Sequence, residues 1–356
     1  MKDEEFLGRV YRELLGRDPD PLGLEFFADR LRNGTSRAEI VIQLAKSDEY
    51  VSLLLRRHTH IRDLRDDDPS RFVEVHPIDC DVPAKCLHMA TADDFDWLEE
   101  RIIANGYYER PGSWSFEISP EKEVVAEIVA AFAPERALEL GCANGVVLEL
   151  LRRSGIFAEG IDISRMAIAR AFDGIRDRIH FGDLLDIDLP PGSFDLVFGL
   201  DIFEHLNPNR LDQYFERVEE LLTPDGVLLA NVPAYGPDDV FGTVLPFLYD
   251  DWVEAARQRR PFRILDIDED GYPVHGHLVW ADTEWWEAQF TARSLRRARD
   301  VERAIHGRYD RFFDVAAPFR RSLYVFVREP RPAARLDHAI AQLRTPSPVL
   351  RALPVT

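Results

Sequence analysis

Ala137-Leu138-Glu139-Leu140-Gly141-Cys142-Ala143-Asn144-Gly145 is the stretch whose reading decides the fold of this chain. A short apolar run ends in an acid, then a glycine, then small residues that close on a second glycine. A helix-compatible segment, Val146 to Arg153, follows. This is the pattern of a strand feeding a tight turn whose backbone touches a ligand, because the residues nearest that ligand have small side chains or none. A dinucleotide site fits poorly. Ala143 stands where Gly-x-Gly-x-x-Gly has its second glycine, and the last glycine arrives one residue early. A shorter loop with an acid two residues before its first glycine suits a ligand that brings a cation and no pyrophosphate.

The residues downstream keep a strand-helix rhythm. Phe157 to Ile163 reads as a second buried strand ending in Asp162, where a nucleoside-binding α/β fold puts its ribose-hydroxyl acceptor. A third strand, Ile179 to Gly182, ends at Asp183, and a fourth, Phe194 to Leu200, runs into Asp201-Ile202-Phe203-Glu204-His205. An amphipathic helix (Leu211 to Leu222), a Thr-Pro-Asp-Gly turn and a fifth strand (Gly226 to Pro233) come next, and Ser322 to Arg328 completes the set. Such alternation argues a parallel sheet with helices on both faces.

Glu139, Gly141 and Gly145, with Ala143 at a middle glycine, resemble the Glu/Asp-x-Gly-x-Gly-x-Gly motif of class I S-adenosylmethionine-dependent methyltransferases. The resemblance implies a doubly wound, seven-stranded Rossmann-like α/β domain, here preceded by a small all-α domain. It implies S-adenosylmethionine bound by Glu139, Gly141, Cys142, Gly145, Asp162, Ile163, Asp183, Leu184 and Asp201. Glu139 would lie near the ammonium of the methionine moiety, and Asp183 with the Leu184 backbone would meet the adenine amino group.

Length and charge narrow the options. A chain of 356 residues holds one large domain and a small one. The net charge of −20, from 44 basic and 64 acidic residues, disfavours nucleic acid, which needs a basic face against its phosphates. Only Lys2, Lys46, Lys85 and Lys122 are lysine, so positive charge is mostly arginine. Three cysteines argue against a disulfide framework, and the Cys80, Cys86, His88 spacing is not that of a structural zinc site. The start has no apolar segment of signal type and no apolar run reaches 18 residues. The reading is a cytoplasmic protein without a membrane contact.

The chain divides into four parts. In residues 1–57, Phe6, Val10 and Leu14, with Leu7 and Tyr11, make one helical stripe; Pro21 opens a second helix, and Ser36 to Glu39 is a capping box for a third. The run from Phe6 through Arg17-Asp18-Pro19-Asp20-Pro21 to Ser47-Asp48-Glu49-Tyr50 resembles a bacterial domain of no assigned activity, similar to phycobilisome linker modules and often attached to surface-layer, secreted or glycan-processing proteins. It implies docking to a protein partner or homo-oligomerisation. Residues 58–118 read as a polar connector and cap, with a linker at Asp66 to Ser70, a helix at Asp94 to Ala104, and aromatics from Tyr107 and Tyr108 to Trp114 and Phe116 that close the site. Residues 119–330 hold the catalytic domain, and 331–356 a tail with a short helical stretch, Leu336 to Leu343.

Residues 234–290 carry the acceptor information. An insertion of about 45 residues, far longer than an ordinary connection, holds Phe241, Phe247, Tyr249, Trp252, Phe262 and Tyr272, then His275-Gly276-His277 and Trp280, then Trp285 and Trp286. Rings at the carboxyl ends of parallel strands suit a sugar acceptor; a structural lid is the competing account. Methyl transfer needs an acceptor held in line and its proton removed. Of the ten histidines, His205, at the end of the fourth strand, with His275, His277 and Glu204 form the catalytic set, with a histidine general base preferred. Asp201-x-x-Glu204-His205 plus a downstream histidine also resembles the Glu-x-x-Glu-His site of ubiquinone-pathway and small-RNA 2′-O-methyltransferases. That implies a divalent magnesium or manganese ion on Asp201, Glu204, His205 and His277, with Asp replacing the first Glu. The expected function is therefore a transferase for carbohydrate modification: an O-methyltransferase acting on a saccharide or glycan-type hydroxyl. The alternatives are a small phenolic or polyketide-like acceptor, or an inactive docking protein that works through residues 1–57.

Overall fold

The computed structural model describes residues 2–47, 49–50, 62–110 and 116–352. Trp114, Asp48 and the expected boundary at residue 57 lie outside them. The chain forms two compact units, residues 1–62 with 110–115, and residues 63–109 with 116–356.

In the first unit the helix Asp3–Leu15 buries Phe6, Leu7, Val10, Tyr11 and Leu15, the stripe its periodicity predicts. Asp20 caps the next helix, Pro21–Arg32, through the Gly23 N–H, and Pro21 fills its first position. Ser36 and Glu39 form the expected capping box of Arg37–Ala45: Glu39 accepts from the Ser36 N–H at 2.8 Å, and Ser36 Oγ accepts from the Glu39 N–H at 3.2 Å. Phe27, Ile40 and Leu44 complete a small separate core.

The strands of the second unit are β1 (Phe72–Val75), β2 (Ala84–His88), β3 (Ala137–Leu140), β4 (Ala158–Asp162), β5 (Ile179–Phe181), β6 (Phe194–Leu200), β7 (Leu222–Asn231), β8 (Pro237–Asp238), β9 (Gly242–Thr243), β10 (Ile264–Asp266), β11 (Leu295–Arg297) and β12 (Leu323–Arg328). Seven make one sheet in the order β11-β12-β7-β6-β3-β4-β5. Pairing is parallel from β7 to β5 and antiparallel at β12 and β11. The chain runs outward from β3 to β5, returns to β6 beside β3, and runs outward the other way. A ligand crevice therefore opens at the carboxyl ends of β3 and β6, where the direction reverses. β3, β4 and β6 are buried along their whole length, as strands covered on both faces must be. One core joins helices Pro120–Ala131, Val146–Arg153, Arg299–Ala316 and Ala333–Leu343 through Val124, Leu148, Ile305 and Leu336.

Three segments differ from their sequence reading. The Thr-Pro-Asp-Gly turn lies inside β7, because a register shift between Phe194 and Leu196 absorbs the extra residues. Residues 63–104 are no simple connector: β1 pairs with β2 and β2 with β10 in a three-stranded antiparallel sheet, while Asp63 and, in the acidic run, Asp68 cap backbone N–H groups. The segment from 331 onward is no free tail either. Leu336, Ala339 and Leu343 are buried, and Arg335 pairs with Asp195 at 2.8 Å. Among the described residues no helix is long and apolar enough to cross a membrane.

Candidate active site

The loop after β3 is built by backbone sign. Gly141, Ala143 and Gly145 all take positive φ (67°, 49° and 73°), so Ala143 tolerates a conformation the missing glycine would adopt freely. A Cβ on Gly145 would stand 2.3 Å from Ile175 Cδ1, so only glycine fits there. Cys142 turns its thiol into the core beneath Gly160; of the residues assigned to the cofactor, it offers backbone alone.

Glu139, next to last in β3, is 4% exposed, and its Oε2 is buried without a hydrogen-bond partner. Burial pushes its carboxyl up to about 8, while Lys122 and Arg320 pull the other way. An orphaned carboxylate under a glycine loop is a place for a ligand's cation. One strand over, Asp162 accepts from the Ala143 N–H and the Ser164 N–H, both at 2.7 Å, which fixes both carboxylate oxygens at the crevice. Asp183 is fixed in the same manner: Leu185 N–H donates to Oδ1 at 2.8 Å and Tyr214 Oη to Oδ2 at 2.5 Å. Ile163 is exposed between these two acids and Leu184 is buried.

Asp201 follows β6 with φ 51° and turns toward Arg320, whose Nη1 meets Oδ2 at 2.5 Å. Arg320 is itself buried, donates to Glu121 at 2.7 Å and also contacts Asn231. Asp201 is not among the ligating groups that gather on the acceptor side: Arg320 holds its Oδ2, while its Oδ1 is buried without a partner.

Glu204, His205 and His277 do come together: one ligating atom from each lies within 4.8 Å of the others. Leu278 and Val279 N–H groups both donate to the Glu204 carbonyl, at 2.8 and 2.9 Å, and so clamp the histidine loop onto the end of β6. His277 Nε2 is 3.7 Å from Glu204 Oε1 and its ring lies 4.7 Å from that of His205. Both Glu204 carboxyl oxygens and His277 Nδ1 are buried without hydrogen-bond partners. Burial raises the Glu204 carboxyl well above its ordinary range, pushes His205 down to about 4 and holds His277 well below its ordinary value. The imidazoles are thus kept neutral, the form that ligates. His275, with φ 60°, is exposed and outside the trio, its ring 5.5 Å from that of His277.

The aromatic insertion has a different role from sugar stacking. Phe241, Tyr249, Trp252, Phe262 and Tyr272 are buried. Trp252 lies 4.8 Å from Phe262 and 6.3 Å from Trp280, both stacked, and Tyr235 packs edge-on against Trp252 at 4.8 Å. The faces of these rings are spent on one another, which is the structural-lid account. Trp280 alone reaches the trio, 4.5 Å from the His277 ring. Sequence reasoning missed Arg320, whose place depends on chain returning from far away. It also missed Tyr214, which reads only as one more apolar position of an amphipathic helix.

A seven-stranded sheet with this switch point, a glycine loop and acids at successive strand ends defines the Rossmann-like methyltransferase architecture. The profile of the methyltransferase domain family matches residues 117–305, more than half of the chain, and the chain belongs to that family. A domain of unknown function matches residues 1–54. The chain is similar to 27-O-demethylrifamycin SV methyltransferase of Amycolatopsis mediterranei (27% identical, covering 39% of this chain and 54% of that one). It is also similar to the ubiquinone biosynthesis O-methyltransferase of Ralstonia nicotianae (30%, covering 25% and 40%). The chain thus spans about half or less of the length of these relatives. Among solved structures, Burkholderia thailandensis 1,6-didemethyltoxoflavin-N1-methyltransferase matches at 12% identity and TM-score 0.41, covering 71% of this chain and 97% of that one.

Proposed function

We propose that the protein is an S-adenosylmethionine-dependent O-methyltransferase acting on a hydroxyl of a small organic acceptor. One observation carries this reading: Glu139, with a buried carboxyl oxygen left without a partner under a glycine loop, sits one strand from a cluster of Glu204, His205 and His277 in which both Glu204 oxygens and His277 Nδ1 are also without partners. Glu139 receives the ammonium of the methionine moiety, Asp162 the ribose hydroxyls and Asp183 the adenine amino group. The cofactor's sulfonium supplies a methyl with a good leaving group, so the chain's own task is to orient the acceptor and see to its proton. Both relatives above are named as O-methyltransferases or for an O-demethyl substrate, and neither name is that of a glycan enzyme. The saccharide reading rested on the insertion and on the glycan-processing proteins that the N-terminal domain often accompanies, and the first support weakens because the insertion's rings are buried against each other.

On the acceptor side, Glu204, His205 and His277 suit a divalent ion such as magnesium or manganese. They offer one carboxylate and two neutral imidazoles in reach of a common point, and a cation would satisfy the partnerless carboxyl oxygens. Such an ion would make an acceptor hydroxyl more acidic. Around it, Trp280 and the clamped 277–279 backbone exclude water and hold the imidazoles in place. Residues 1–54 serve as a docking module, a role supported by a separate core and the match to a domain without assigned chemistry.

Calorimetry with S-adenosylmethionine tests the first claim: saturable binding to the wild type, with no heat at millimolar ligand ending the enzyme reading. Manganese titration of EDTA-treated protein tests the second. One ion per chain, lost in His277→Ala, is expected; equal affinity in the two proteins removes the cation.

A further inference from the structure

Residues 105–109 precede the segment that matches the methyltransferase family, yet they touch both halves of the site. Asn105 Nδ2 donates to Tyr272 Oη at 2.6 Å. The Tyr107 ring lies 5.4 Å from that of Tyr272 and directly against Gly276, where an added Cβ would come within 2.5 Å of it. On the other side, Ser164 Oγ donates to the Tyr108 carbonyl at 2.8 Å, and the Glu109 carboxylate accepts from the N–H groups of Arg165 and Met166 at 2.8 and 2.7 Å. Ser164 stands two residues after Asp162. The segment is a strap anchored at once to the histidine loop and to the end of β4.

Between those anchors Tyr108 turns inward. Its Oη is 3.3 Å from His205 Nδ1, and Glu99, Glu204 and Asp162 are its charged neighbours. The strap's two anchors hold this phenol between the end of β4 and the histidine loop. The direction of its hydrogen bond follows from the surroundings of the imidazole. Toward the imidazole the Gly276 backbone presents only its carbonyl, an acceptor, for Gly276 spends its own N–H on the Pro273 carbonyl at 2.7 Å. A neutral imidazole has a single N–H. Given to Gly276, it leaves Nδ1 to accept from Tyr108.

We propose that Tyr108 is a positioning residue of this site: its hydroxyl donates to Nδ1 of His205, fixes the tautomer and tilt of that ring, and through the strap sets the histidines in register with the cofactor end of the crevice. A proton or a cation then reaches the Nδ1 lone pair only by displacing the phenol. The proposal rests on His205 belonging to the acceptor side, but its test needs neither an acceptor nor a metal.

The experiment is a two-bond proton–nitrogen spectrum of the full chain labelled with 15N-histidine, with the His205 pair identified by its loss in His205→Asn. The wild type is expected to show His205 protonated at Nε2, with Nδ1 shifted by an accepted hydrogen bond. In Tyr108→Phe, which keeps the ring and its packing, the Nδ1 signal moves to the unbonded position while the thermal midpoint stays put. Identical His205 signals in the two proteins overturn the proposal. So does a proton on Nδ1 in the wild type, a result that stands even if the variant fails to fold. Failure of the wild type to bind S-adenosylmethionine would instead strike the methyltransferase reading and leave the imidazole spectrum to decide Tyr108.

Discussion

Glu139 is held in a state that suits its ligand better than the empty fold. Buried and partnerless, it keeps its proton up to about 8, whereas an unfolded chain releases it near 4.5. The folded state then binds more protons than the unfolded one between those values, so stability is full below about 4.5 and is lost as pH rises through about 8. Glu139→Gln removes that loss. Its thermal midpoint should climb relative to the wild type across the window, while its affinity for S-adenosylmethionine falls by roughly tenfold or more, the worth of a charge-assisted hydrogen bond. Midpoints that run parallel throughout the window would show that Glu139 is satisfied in the empty protein. Glu139 was legible as a candidate because an acid near the end of an apolar run before a glycine has few structural uses. Asp201 was legible as a strand-end acid but not as the partner of a buried guanidinium, since nothing within a hundred residues of it announces Arg320.

At the scale of elements, strand ends were readable and pairings were not. β4, β5 and β6 each end within two residues of their predicted positions, because apolar runs closed by an acid mark the crevice side of a parallel sheet. β1 and β2, which pair with each other, were read as connector because β10, the strand that pairs with β2, lies far along the chain: Cys86 and Asp266, which pair across the sheet, are 180 residues apart. No local pattern carries that information. The histidine loop illustrates how tightly separate elements meet. Gly276 has φ +78° and no room for a Cβ beside Tyr107. Gly276→Ala should therefore cost more than about 1 kcal/mol, the scale of such substitutions at positive φ, and should weaken manganese binding by shifting His277. A urea midpoint and a manganese affinity both equal to wild type would mean that the strap yields without disturbing the site.

Across the whole molecule, an excess of acid is organised by buried arginines. Arg297 on β11 is almost fully enclosed, yet it meets Asp238 at 2.6 Å, Glu287 at 2.7 Å and Glu302 at 2.9 Å, and lies over the Phe241 and Tyr324 rings. It joins the insertion, the helix Thr283–Thr291 and the sheet through one side chain. Arg297→Met should destabilise the protein by about 3–5 kcal/mol, because three carboxylates are left without their cation. A loss below about 1 kcal/mol, the range of exposed pairs, would show that water replaces the guanidinium. Neither the choice of arginine at this position nor its three partners could be read from composition. In a chain with 64 acids and 44 bases, a net charge says nothing about which charges are inside.

Arg320 has a consequence for synthesis. It follows Asp201 by 119 residues and Asn231 by 89, yet it fixes both, and β12, which comes straight after it, slots between β7 and β11. A nascent chain can emerge with its glycine loop, its acids and its histidines complete and still lack the cation that sets the corner between them. The corner around Asp201 and Asn231 is thus completed late in translation, and ribosome-bound fragments ending before Arg320 carry the glycine motif without that corner.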